Sequence, residues 1–116
     1  MKNHIILIGR QGTFKSTIAR ALSALYAPDQ PIREHDAYYF LQEYDKGNIK
    51  GTVIIDEVNE PMLQRVCAIM EQDRDLHVMM TLYPDYPTDA KALIEQYPYL
   101  VRNSTIIHCE NLTIPL

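Results

Sequence analysis

Between Gly51 and Val58 the chain reads Gly-Thr-Val-Ile-Ile-Asp-Glu-Val, a β-branched apolar run with no polar residue interleaved before the two acids. A strand with one face in water alternates in polarity. A run without alternation suits a strand buried on both faces, as in a parallel sheet covered by helices on either side. Ile5-Ile6-Leu7-Ile8 reads the same way, as does Leu76 to Leu82, interrupted by His77 and ending at Thr81. Ser104 to His108 reads as a last strand and Ile32 to His35 as a weak one. Helical patterns separate them. Ile18, Leu22 and Leu25 form a buried stripe on a helix that stops near Ala27, ahead of Pro28 and Pro31. Asp36 caps a short helix with Ala37, Phe40, Leu41 and Tyr44 on its apolar side, ending at the turn Asp45-Lys46-Gly47-Asn48. Pro61 opens a helix whose inner stripe is Met62, Val66, Ile69 and Met70. After the rigid loop Tyr83 to Pro87, Thr88 caps a helix burying Leu93, Ile94 and Tyr97. Strands alternating with helices imply right-handed crossovers. The expected fold is α/β, a three-layer sandwich of about five mostly parallel strands with helices on both faces, in a single domain over residues 1–116.

Composition narrows the function classes. A net charge of −4 gives no general attraction to nucleic acid or acidic membranes. The two cysteines, Cys67 and Cys109, sit in separate apolar segments and read as buried free thiols in a reducing compartment. His4, His35, His77 and His108 show no ligand spacing, so Mg²⁺ is the one metal expected. No apolar run reaches membrane-spanning length and the first strand begins close to Met1, so the expectation is a cytoplasmic protein without a leader.

Gly9-Arg10-Gln11-Gly12-Thr13-Phe14-Lys15-Ser16-Thr17 lies between the first strand and the first helix. That context suits polyphosphate: a buried strand fixes where the turn starts, and a helix N-terminus offers free N–H groups and a favourable dipole. Gly9 and Gly12 allow close backbone approach, Lys15 offers a point charge and Ser16 a hydroxyl for a Mg²⁺ shell. Ligands of parallel sheets bind outside the C-terminal strand ends. The glycine-containing turn, Asp56-Glu57 and Thr81 all fall at such ends.

The stretch resembles the Walker A motif of P-loop NTPases, G-x-x-x-x-G-K-[ST], with Phe14 where the motif has glycine. If Phe14 takes positive φ there, the strain is on the order of 1–3 kcal/mol. Val53-Ile54-Ile55-Asp56-Glu57 resembles a Walker B motif. The resemblance implies phosphate binding by Gly9, Gln11, Gly12, Thr13, Phe14, Lys15, Ser16 and Thr17, and Mg²⁺ binding by Ser16 and Asp56. It also implies Glu57 as the group that orients the attacking water. Adjacent Asp-Glu looks like the branch that contains the AAA+ proteins, the RecA-like proteins and the translocation motors. That likeness implies that Leu76–Leu82 lies beside Ile5–Ile8, with Thr81 facing the γ-phosphate as a sensor-1 type residue. Arg102, between the last helix and the last strand, matches the position of an arginine finger acting on a neighbouring subunit, and Arg74 is a weaker candidate. The helical lid of AAA+ proteins has no counterpart before Leu116.

Three functions follow from these expectations. The first is Mg-ATP binding with slow or assembly-dependent hydrolysis, in a homo-oligomer or with a partner protein supplying an arginine and a lid. The second is a nucleotide-sensing interaction module without turnover. The third is a small P-loop kinase with Asp36 as substrate base, against which Glu57 stands. Tyr38, Tyr39, Tyr83, Tyr86, Tyr97 and Tyr99 read as rings covering the edge of the core, or as stacking groups for a base or a partner.

Overall fold

Along β1 (His4–Ile8) successive side chains enter two different cores. Ile6 and Ile8 join one buried cluster, and Ile5 and Leu7 join another. This is what an unalternating apolar run does in a sheet sandwiched between helices, since neighbouring side chains point to opposite faces. The structure is a computed structural model that describes residues 4–9, 15–26, 29, 33–82 and 90–109, the side chains of residues 16, 26, 90 and 91 excepted. After β1 come α1 (Lys15–Tyr26), β2 (Arg33–Asp36), α2 (Ala37–Asp45), β3 (Thr52–Val58) and α3 (Glu60–Gln72). Then follow β4 (His77–Leu82), α4 (Ala90–Glu95), α5 (Pro98–Asn103) and β5 (Ser104–His108). The sheet is parallel throughout, in the order β2-β3-β4-β1-β5. The fold is therefore the expected α/β sandwich.

The two faces are covered unequally. Among the described residues α1 is the one helix over Ile5, Leu7, Ile54 and Met79, through Ile18, Ala19 and Leu22, with Cys109 in the same cluster. The opposite face carries Ile6, Val53, Ile55, Val78 and Met80 under side chains from α2 to α5, including Phe40, Leu63, Met70, Ile94 and Leu100. Full burial of such side chains stabilises by about 1.5–3 kcal/mol each, so most of the apolar stabilisation lies on that second face. Cys67 and Cys109 are buried free thiols, one in each cluster. Burial pushes the Cys67 thiol up to about 11.

Several local expectations hold. Asp36 caps α2 by accepting the Tyr39 N–H at 2.7 Å, and Ala37, Phe40 and Leu41 are its buried side. The turn after α2 contains Gly47 at φ 78°, a value that suits glycine. Others are corrected. Leu25 is 77% exposed; of the expected stripe Ile18 and Leu22 pack against the core, and the buried residues of α1 are the small ones, Ala19 and Ser23. The helix begins at Lys15, a turn before the apolar stripe. The inner residues of α3 are Leu63, Val66, Cys67 and Met70, with Met62 and Ile69 only partly buried. Asn59 caps that helix by accepting the Met62 N–H at 3.1 Å. The single helix expected around Leu93 is two, because Pro98 starts α5 and cannot continue α4. Tyr97, expected inside that helix, is the residue just before α5 and packs partly against the core. The loop from Tyr83 to Pro87 and the Thr88 cap lie outside the described residues. Among the described residues no helix is long and apolar enough to cross a membrane.

Candidate functional site

All five strands run the same way, so their C-terminal ends form one rim. Side-chain alternation then sorts the rim residues by face. Ile54 and Met79 lie under α1, so Asp56 and Thr81, two residues further along, fall on the same side. The N-terminus of α1 opens at that rim, where Lys15 Nζ donates to the Gly9 carbonyl at 2.7 Å. Lys15 is also near Cys109, whose thiol is pushed up by burial and held back in part by that ammonium.

The acid pair sits in a break of the ladder. Ile55 pairs with Met80 and Val58 with Leu82, so two residues of β3, Asp56 and Glu57, oppose the single residue Thr81. That is a β-bulge, a device that re-aims side chains at a strand end. Glu57 takes φ 56°, and among the described residues it is the one non-glycine residue with positive φ. The Glu57 N–H donates to Thr81 Oγ1 at 2.8 Å, and the same hydroxyl donates to Asp56 Oδ1 at 3.3 Å. Thr81 is 1% exposed, whereas Glu57 is exposed and Asp56 half-buried.

A second carboxylate adjoins Asp56. Glu34, on β2, lies within hydrogen-bonding reach of Asp56. It also accepts from Arg20 of α1 through Nε at 2.7 Å and Nη2 at 3.0 Å. The Arg20 guanidinium, and secondarily the contact with Asp56, holds the Glu34 carboxyl below the usual carboxylate range. Sequence reading missed Arg20 and Glu34. They lie 14 residues apart on different elements, and no local pattern links them.

Other expected site residues scatter. Gln11, Gly12, Thr13 and Phe14 lie outside the described residues, as does the Ser16 side chain; Ser16 is in the first turn of α1 and Thr17 there is exposed. Arg102 lies in the last turn of α5 just before β5, and Arg74 precedes β4, so both are at the N-terminal edge of the sheet. A five-residue strand, about 17 Å, separates that edge from the rim. Arg74 stacks over the Tyr99 ring at 5.4 Å. Tyr38 and Tyr39 are exposed at the start of α2, near the rim. Tyr99 packs partly against the core, and Tyr83 and Tyr86 lie outside the described residues.

Chemically the rim brings together an ammonium at a helix N-terminus, two neighbouring carboxylates and a third on strained backbone. Among the described residues no group of three or more His, Cys, Asp or Glu side chains is placed to hold a metal ion. No protein-family model matches the chain, and a search of curated protein sequences returns no match.

Proposed function

We propose that this domain binds Mg-ATP across the rim and hydrolyses it slowly alone, faster when a second chain contributes an arginine. The observation that carries the reading is the position of β4. It pairs with β1 at Leu7↔Thr81, two residues before Gly9, and its Thr81 hydroxyl touches the Asp56-Glu57 bulge of β3. Gly9 and the acid pair are thus two strand spacings apart, about 10 Å. That is a span suited to a triphosphate and its attacking water.

Lys15 would bind phosphate oxygens as a point charge, and Asp56 with Ser16 would hold Mg²⁺, which when bound neutralises charge on the phosphates. Glu57 would orient a water and accept its proton as the water oxygen bonds to the γ-phosphorus. The bond from that phosphorus to the β,γ-bridging oxygen breaks, giving ADP and inorganic phosphate. Such transfer depends chiefly on positioning and electrostatics, so few groups suffice. Glu57→Gln tests it: the variant should bind Mg-ATP with unchanged affinity while phosphate release falls about 100-fold. Turnover at the wild-type rate removes Glu57 from the chemistry.

A second reading, a nucleotide-sensing module without turnover, is favoured by the far-edge position of Arg102 and Arg74. Neither can reach the rim of its own chain. Sedimentation with and without Mg-ATP separates the two: nucleotide-dependent association favours hydrolysis with an arginine in trans, and a loaded monomer favours sensing. The kinase reading has weaker support, since Asp36 Oδ1 already accepts the Tyr39 N–H.

A further inference from the structure

We infer that Thr81 is a positioning residue that holds the Asp56–Glu57 bulge in a strained shape, acting through those two residues and not by touching phosphate. Its catalytic consequence rests on the hydrolysis reading above. The positioning itself does not. Glutamate gains nothing from positive φ, and its Cβ is crowded there, so something must hold it in place. Three observations identify the holder. The extra residue of the bulge falls opposite Thr81. The strained residue gives its N–H to the Thr81 hydroxyl at 2.8 Å. The same oxygen, with its one proton, donates to Asp56 Oδ1 at 3.3 Å.

A hydroxyl is one donor and two acceptors, and this one is used in both senses at once. It accepts the N–H of the residue inside the break, and it orients one oxygen of the neighbouring carboxylate. Because Thr81 is 1% exposed, water cannot readily replace it. With its proton directed at Asp56, the hydroxyl has none left for a phosphate oxygen. In an unbroken strand Asp56 and Glu57 would point to opposite faces. The bulge lets two consecutive carboxylates serve one rim, and Thr81 is what keeps the bulge.

Thr81→Val and Thr81→Ser test this. Valine keeps the shape and deletes the hydroxyl; serine keeps the hydroxyl. The first readout is amide hydrogen exchange at Glu57, which needs no activity. Thr81→Val should accelerate it about tenfold or more, while Thr81→Ser should leave it near wild type. The second is steady-state ATP hydrolysis. Thr81→Val should lower kcat about tenfold or more with KM for Mg-ATP within about twofold, and serine should rescue kcat. Unchanged exchange at Glu57 in the valine variant overturns the inference. So does a raised KM at constant kcat, which is the mark of a direct phosphate contact. If the wild-type protein neither binds nor hydrolyses Mg-ATP, the functional reading falls, and the exchange result still decides the role of Thr81.

Discussion

The two edges of this sheet treat polar groups in opposite ways. At the rim, Thr81, Asp56 and Glu57 hold one another in a bulge, and two carboxylates remain at least partly open to solvent. At the far edge, His4 is 2% exposed and both ring nitrogens are engaged. Its Nδ1 accepts the Val78 N–H at 3.1 Å, so in the neutral ring Nε2 carries the proton, 3.1 Å from the Tyr99 hydroxyl. Desolvation, with the nearby His77 adding to it, lowers the His4 pKa to about 4. The far edge buries His4 with both ring nitrogens engaged, while the neighbouring Ser104 hydroxyl is buried without a hydrogen-bond partner. The rim keeps strain and charge in place, which is where chemistry can use them.

The sharpest test of that contrast is His4→Ala. It should cost about 3 kcal/mol of stability in denaturant unfolding, from the lost packing and the unpaired Val78 N–H, and leave nucleotide affinity unchanged. Lys15→Ala should do the reverse, weakening Mg-ATP binding about 100-fold in calorimetry, roughly 2.7 kcal/mol, with little change in unfolding. A loss of binding in the His4 variant, or of folding in the Lys15 variant, breaks the division of labour. Acid gives the next effect. The folded-state pKa of His4 lies below its ordinary value, so the unfolded chain binds the proton first. Its contribution is complete above about pH 6.5 and is lost as pH falls towards 4, a change on the order of 3 kcal/mol. His4→Gln, whose amide can accept from Val78 and donate to Tyr99, should flatten that part of the pH–stability curve.

Smaller effects refine the rim. Arg20→Ala removes an exposed ion pair and should cost less than about 1 kcal/mol in unfolding. Leu25→Ser should change stability by less than about 0.5 kcal/mol, since that side chain is largely in water.

The unalternating runs made the sheet legible, because burial on both faces leaves a pattern in a single stretch of chain. Ser104–His108 and the Asp36 cap were readable for the same local reason. The place of β4 between β1 and β3 came from the resemblance, since periodicity does not order strands. Of the α1 stripe Ile18 and Leu22 pack against the core and Leu25 does not, because periodicity weighs large apolar residues and overlooks the small buried ones, Ala19 and Ser23. The left-handed Glu57 was invisible for a physical reason: such positions usually announce themselves with glycine, and here a hydroxyl 24 residues away supplies the restraint. Arg20 with Glu34, and His4 with Tyr99, are likewise pairings that only the folded chain creates.

The lopsided cover of the sheet has a consequence for how occupancy could be felt. Among the described residues one rod, α1, is the helix that shields one side, and its first residue, Lys15, is the one that would grip an anion. Tugging on that terminus loads a thin apolar seam of Ile18, Ala19 and Leu22, while the thicker packing beneath stays unmoved. Peeling of this layer should therefore be the earliest and cheapest opening of the molecule, and an anchored anion the most direct brake on it.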